Sequence, residues 1–321
     1  MSVEPLPSWV ESDIKRDIVD FVRNVVDEAG PDHVPVAERV AVFDNDGTLW
    51  PEQPLYIQLA FALDRVKTLA PQHPEWRTTQ PFQGLLEGDS AALAAGGLKG
   101  LLALVVETHT GTTSDEFEGI VKDWFETAHH PRFDRPYTEL AYQPMTELLT
   151  HLRANEFKTY IVSGGGIEFM RGVAERLYGI PPEQVIGSSG KARYEVRDGV
   201  PVLVRLPELE FFDDKGDKVV AIQKFIGRRP ILAAGNSDGD QQMLQWTAAG
   251  PGASLMLLVD HTDEEREFGY RVSPLGHLEL ALEEARQRGW AVVSMKDHWS
   301  RVFAHDSQLG RSASIEEESH Q

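Results

Sequence analysis

The sequence contains no cysteine. A disulfide framework and thiolate zinc sites are therefore excluded, while the redox compartment stays undecided. Long apolar runs are missing too, and none approaches the ~20 residues of a membrane span. The start, Met1-Ser2-Val3-Glu4-Pro5-Leu6-Pro7, has no basic region followed by an apolar core. No secretory signal peptide is expected, and a cytoplasmic location is. Bases are scarce: Lys plus Arg number 31 against 51 Asp plus Glu, a formal net charge of -20. That balance disfavours wrapping nucleic acid or docking on anionic lipid. It also repels a phosphorylated ligand at long range, so a phosphate site needs local positive potential. No internal repeat is present.

What is there reads as an ordinary globular chain. Its 321 residues, 41% hydrophobic and 26% charged, suit one large or two modest domains. The stretch that organises it is Val40 to Trp50. Val40 to Phe43 is an apolar run with the length of a buried strand. Asp44, Asp46 and Thr48 follow, with Gly47 permitting a turn. Acids at the C-terminal end of a strand lie where ligands bind in open α/β sheets. Two carboxylates this close repel unless a cation sits between them, and Mg2+ is a natural partner for such oxygens. The competing reading is a plain turn or helix cap, which Asp-Gly pairs often form.

Along the chain, Ser8 and Glu11 have capping-box spacing ahead of an amphipathic helix through Val25. Residues 1–38 form a helical extension. Residues 51–139 read as helical, with helices over Leu55–Leu69, Ala91–Glu107 and from a Thr113/Glu116 capping box to Phe125, and no convincing strand. A helical insert directly after the acidic loop is most simply a cap over it. The α/β alternation resumes near residue 140. The strand Lys158–Val162 runs into Ser163-Gly164-Gly165-Gly166 and a helix, a junction suited to an oxyanion. A short strand at Val185–Ile186 and a hairpin, Arg193–Val196 with Val200–Val204, come next. Lys218 stands at the entrance of a helix from Val219 to Ile226, with Lys215 as its fallback. The strand Pro230–Ala234 delivers Gly235-Asn236-Ser237-Asp238-Gly239-Asp240. Core boundaries are set at 39–50 and 140–300, with 301–321 a flexible tail.

Three polar loops at three strand ends, with a lysine between the second and third, resemble the haloacid dehalogenase (HAD) superfamily in its phosphatase branch. The helical insert after the first motif resembles its phosphoserine-phosphatase-like group. The resemblance implies an α/β, Rossmann-like three-layer sandwich with a mainly parallel sheet, plus an inserted α-helical cap domain. It implies that Asp44 is the nucleophile forming an aspartyl-phosphate. Asp46 would be the acid and then the base, with Thr48 positioning it. Ser163, Gly164, Lys218 and Asn45 would hold the phosphoryl group. Mg2+ would be bound by Asp44, Asp46 and the last loop, with Asn236, Asp238 and Asp240 as candidates. Asp46 also argues against dehalogenation, because halide leaves without a proton.

One departure stands out. The last motif usually opens Gly-Asp, and here it reads Gly235-Asn236. A neutral amide should weaken Mg2+ binding, and Asp238 is the candidate to supply the missing carboxylate. Glu52 could meet a cationic substrate group, or be a solvated hinge residue. The expected activity is hydrolysis of a small phosphorylated metabolite. A phosphotransferase using the same intermediate is a close variant. A non-catalytic binding module is the alternative from another class, with Asn236 its sole support. A nucleotide-binding dehydrogenase is distant, because Ser163-Gly-Gly-Gly lacks the G-x-G-x-x-G spacing. The sequence leaves the oligomeric state and the identity of the phosphomonoester open.

Overall fold

The computed structural model describes residues 5–88, 100, 102, 104–272 and 276–306. In chain order the elements are α1 (Asp13–Val26), β1 (Val40–Phe43), α2 (Ile57–Leu69), α3 (Phe82–Glu87), α4 (Ser114–Thr127) and α5 (Gln143–Ala154). Next come β2 (Lys158–Gly166), α6 (Ile167–Tyr178), β3 (Val185–Arg197), β4 (Val200–Phe211), α7 (Gly216–Ala221) and β5 (Leu232–Gly235). The last are α8 (Gln241–Ala248), β6 (Leu255–Thr262), α9 (Leu280–Arg288), β7 (Ala291–Ser294) and α10 (Met295–His298). The main sheet runs β7-β6-β5-β1-β2-β3-β4, with the short strand Gly269–Tyr270 antiparallel to β6. Along that path only β3 and β4 pair antiparallel.

Strand alternation divides the core in two. Ala41 and Phe43 enter one cluster with Ile18 and Val22 of α1, Leu148 of α5 and Phe169 of α6. Val40 and Val42 enter the other with Ala221, Met243, Leu244 and Leu282 from α7, α8 and α9. β1 is therefore buried on both faces, as its unbroken apolar run requires. Helices cover the sheet on both sides, giving the Rossmann-like sandwich. Full burial of a side chain such as Phe43 contributes on the order of 2–3 kcal/mol.

The described residues between β1 and α5 are mainly helical and share the first of these cores. The Phe61 ring of α2 lies 5.2 Å from that of Phe169, and Phe125 of α4 lies 5.3 Å from it. The Thr113/Glu116 capping box forms, with Glu116 N donating to Thr113 Oγ1 at 3.1 Å and Thr113 N to Glu116 Oε2 at 2.7 Å. The helix expected over Ala91–Glu107 lies partly outside the described residues, and 104–108 are helical. A two-residue strand pair, His129–His130 with Arg135–Pro136, breaks the all-helical expectation.

Three further details differ from the sequence reading. The cap of α1 is Ser12, whose Oγ accepts from Lys15 N, whereas Ser8 donates to Glu147 Oε1 at 2.6 Å. The short strand at Val185 and the first hairpin arm are one continuous strand, β3. Of the tail expected to fray from residue 301, the described start is packed: Val302 and Phe303 are buried, and Gln143 N donates to Val302 O at 2.8 Å. Residues 307–321 lie outside the described set. Among the described residues no helix is long and apolar enough to cross a membrane.

Candidate active site

Register brings the three polar loops to one edge. Phe43 pairs with Ile161 of β2 on one side and with Ala234 of β5 on the other. Asp44 and Asn236, which follow β1 and β5, and Ser163, two residues beyond Ile161 in β2, thus emerge side by side toward the C-terminal ends. A cavity of about 540 Å³ opens there, lined by Asp44, Asp46, Glu52, Ser163, Gly164 and Lys218 among others. Its outer wall includes Lys215, Asp238 and His277.

The first loop is a tight turn with three separate ties. Thr48 N and Leu49 N both donate to Asn45 O, at 3.1 and 2.8 Å, and Gly47 N donates to Trp50 O at 2.8 Å. Gly47 takes a φ of +74°, and a Cβ there would sit 2.0 Å from the Asn236 amide nitrogen, so glycine is required twice over. Trp50 Nε1 donates to Asp46 Oδ1 at 2.7 Å. Thr48 Oγ1 donates to Asn236 Oδ1 at 3.3 Å. His261 Nε2 lies 2.8 Å from Gly47 O.

Lys218, in the first turn of α7, is buried, and its ammonium is clasped by Asp44 Oδ1 at 2.8 Å and Asp240 Oδ1 at 2.6 Å. Asp240 is fully committed, since its Oδ2 accepts from the backbone of Asn236 and Ser237 at 3.0 Å each. That fold-back needs Gly235, where a Cβ would lie 2.4 Å from the Asp240 Cβ. Ser163 is buried, and its Oγ accepts from Gly165 N at 3.3 Å. The Gly164 carbonyl accepts from Ser188 Oγ at 2.8 Å. Gln58 of α2 reaches the same loop, accepting from Gly166 N at 2.8 Å.

The electrostatics follow from burial. Burial raises Asp44 to about 7, helped by Asp240 and opposed by Lys218. Burial raises Asp46 to about 6, with the Trp50 hydrogen bond and Lys218 restraining it. Burial pushes Glu52 up to about 8 against the pull of His261 and the Tyr270 hydroxyl. Burial also disfavours charge on Lys218, but Asp240 and Asp44 outweigh it and its pKa is raised. Carboxylates at these strand ends thus outnumber the one ammonium that touches them.

A family model of haloacid dehalogenase-like hydrolases matches residues 41–245, more than half of the chain. The chain belongs to the haloacid dehalogenase-like hydrolases. No curated protein matches it. Among solved structures it is similar to a conserved protein of unknown function from Anaerococcus prevotii, at 16% identity and a TM-score of 0.56, covering 92% of this chain and 94% of the other. A protein of unknown function from Bordetella pertussis matches at 18% identity and a TM-score of 0.48, over 80% and 99% of the two chains. A phosphoserine phosphohydrolase-like protein from Francisella tularensis matches at 18% identity and a TM-score of 0.41, over 70% and 89%. The first of these likenesses shows the shared fold.

As a haloacid dehalogenase-like hydrolase, the chain places several residues differently from expectation. The partner of Asp46 is Trp50, while Thr48 instead holds Asn236. Asp238 Oδ1 caps α9, accepting from Glu279 N at 3.1 Å and Ala281 N at 2.8 Å, which commits one of the two oxygens of the carboxylate expected to replace the missing one. Asn45 is buried with its Oδ1 unpartnered among the described residues, and it does not line the cavity. Glu52 is no solvated hinge: it is buried, and its Oε1 accepts from Asn236 Nδ2 at 3.1 Å and Tyr270 OH at 2.8 Å. Sequence reasoning missed Trp50, Gln58, His261 and Tyr270. Trp50 lies at the end of the stretch that organises the chain, but nothing local to it points to its bond with Asp46.

Proposed function

We propose that the protein is a phosphatase of small phosphomonoesters that works through an aspartyl-phosphate on Asp44. The observation that carries this reading is the Lys218 ammonium, clasped between Asp44 and Asp240 at 2.8 and 2.6 Å beside the cavity, with Asp46 on the same turn as Asp44. Phosphoryl transfer needs positioning and charge neutralisation, and these groups supply both.

The donor chemistry suits a hard cation such as Mg2+. Burial holds Asp44 and Asp46 well above the ordinary carboxylate range, the mark of negative charge short of a partner. The Asp44 carboxylate, the Asp46 backbone carbonyl and the side-chain oxygen of Asn236 would hold it. Among the described residues no three His, Asp or Glu side chains cluster tightly enough to bind a metal by themselves. A mixed set with few acids implies modest affinity. When bound, Mg2+ would neutralise phosphoryl oxygens and favour ionised Asp44.

The chain's own residues then divide the work. An Asp44 oxygen attacks phosphorus as the P–O bond to the alcohol breaks. Asp46, near neutrality in its titration, gives its proton to the leaving oxygen. Water next attacks the aspartyl-phosphate, Asp46 takes its proton, and Asp44 departs as carboxylate with inorganic phosphate released. Lys218 and Ser163 orient phosphoryl oxygens. The cavity volume admits a small metabolite. Glu52 remains a candidate substrate contact, since it lines the cavity, although one of its oxygens is already doubly engaged.

The test is phosphate release from p-nitrophenyl phosphate and a panel of small phosphomonoesters, with Mg2+, with EDTA, and with Asp44→Asn. Activity requiring both Mg2+ and Asp44 supports the reading. Activity that survives Asp44→Asn removes Asp44 as nucleophile. Transfer to an added alcohol in preference to water would make the protein a phosphotransferase.

A further inference from the structure

We propose that His261 is a positioning residue: an imidazolium paired with Glu267 that pins the Gly47 carbonyl and so fixes the turn carrying Asp46. Its consequence for rate rests on the phosphatase reading of Asp46; its charge and contacts do not.

The argument begins with a proton count. His261 lies in β6, two strands from β1, and its side chain is 1% exposed. Nδ1 is 3.1 Å from Glu267 Oε2, and Nε2 is 2.8 Å from Gly47 O. A neutral imidazole carries one N–H and one acceptor nitrogen. A backbone carbonyl cannot donate, so Nε2 must bear a proton. Glu267 is fully buried and already accepts twice besides, from Phe268 N at 2.6 Å on Oε2 and from Tyr142 OH at 3.1 Å on Oε1. Those donors fit a carboxylate, which leaves Nδ1 to donate as well. Burial opposes charge on His261, but the Glu267 hydrogen bond and charge prevail and its pKa is raised.

The position of the ring explains why such a pair sits here. Gly47 N is tied to Trp50 O and Thr48 N to Asn45 O, both within the turn itself, whereas the carbonyl of the Gly47–Thr48 peptide is held from outside the turn by His261. The bond from His261 reaches the Gly47 carbonyl from another part of the fold, β6. The Tyr270 ring stacks on His261 with centroids 4.4 Å apart and gives its hydroxyl to Glu52 at 2.8 Å. The ring is therefore locked from its face as well as both edges. A turn released at Gly47 would shift Asp46, and a misplacement of about 1 Å costs on the order of 100-fold in rate.

Two measurements test this. The first is 15N NMR of histidine-labelled protein at pH 8, with His261 assigned from His261→Gln. Two protonated ring nitrogens that become a single tautomer in Glu267→Gln support the proposal, and one bare nitrogen in the wild type overturns it. The second compares His261→Gln, whose longer amide can still donate to Gly47 O, with His261→Asn, which can reach only Glu267. The expected result is kcat within about tenfold of wild type for Gln and a loss of about 100-fold for Asn, with KM little changed. Equal losses in both variants, or none in Asn, overturn positioning. If the wild type hydrolyses no phosphomonoester, the phosphatase reading fails, while the NMR result still decides the charged pin. If His261→Asn does not fold, Glu267→Gln carries both readouts.

Discussion

The amide of Asn236 donates to the carboxylate of Glu52 across 3.1 Å, at the position where an aspartate is usual in this family. Glu52 is buried and pushed up to about 8, so in melts above that pH a carboxylate at 236 would face another carboxylate with no cation between them. Asn236→Asp should therefore lower the melting temperature of the metal-free protein. Losing the bond and opposing two acids costs about 2–3 kcal/mol, or roughly 5 °C. The same change adds a charge to the cation site, so the Mg2+-induced rise should grow. Thermal melts with EDTA and with Mg2+ check both signs. Adding Glu52→Gln should recover the metal-free loss. No change in either condition would sink the proposed opposition of residues 236 and 52.

Trp50→Phe keeps a ring beside Phe125 and Phe169 and deletes the donor to Asp46 Oδ1. That hydrogen bond restrains the upward shift of Asp46, so its pKa, about 6 now, should rise further. The pH–rate profile should move to higher pH, and the maximal rate should fall roughly tenfold, less than the loss of about 100-fold or more expected if Asp46 itself were removed. An unchanged profile would show that Trp50 does not tune Asp46.

These two predictions use residues of very different visibility. Asp44, Asp46 and Thr48 could be read because one turn at the end of one strand carries them all. Lys218 and Asp240 followed from order and strand ends, and the structure brings them within hydrogen-bond distance. The role of Trp50 could not be read, since nothing local shows that its indole folds back four residues. His261, Glu267 and Tyr270 carry no pattern at all; the strand order β6-β5-β1 and a short antiparallel return deliver them. The cap of α1 was misread because Ser8 and Ser12 both precede an apolar face, and only the partner Glu147 removes Ser8 from the helix.

Stability should depend on pH in an unusual direction when no metal is present. Asp46 at about 6, Asp44 and Asp213 at about 7 and Glu52 at about 8 all lie above their unfolded values of 3.8 to 4.5. Between those values the native state binds more protons than the unfolded chain. The stability these groups contribute is therefore full below about pH 4 and declines as pH rises toward 8. Lys218 is raised as well, but its term is lost only above its ordinary value of 10.5, outside this window. Melts in EDTA should fall between pH 5.5 and 8.5, and Mg2+ should stabilise more at pH 8.5. A metal-free melt that rises with pH across that range would contradict the burial of these acids.

Asp240→Asn separates the two jobs of the buried lysine clasp. If the asparagine oxygen keeps the backbone bonds of Asn236 and Ser237, its NH2 faces the Lys218 ammonium, donor against donor. Lys218 then shifts toward Asp44, its other partner in the clasp. Two effects act on Asp44 in the same direction. The Asp240 charge that raises it is gone, and the lysine that lowers it draws nearer. Asp44 should ionise more easily, so, on the proposed mechanism, the acid limb of the pH–rate profile should move to lower pH. The phosphoryl group nevertheless loses a well-placed ammonium, and kcat should fall by about 10- to 100-fold. A slower enzyme with a shifted acid limb would mean that Asp240 acts through Lys218 on both Asp44 and substrate. A slower enzyme with an unmoved limb would mean that the Asp240 charge does not reach Asp44, and that the clasp only holds the lysine in place.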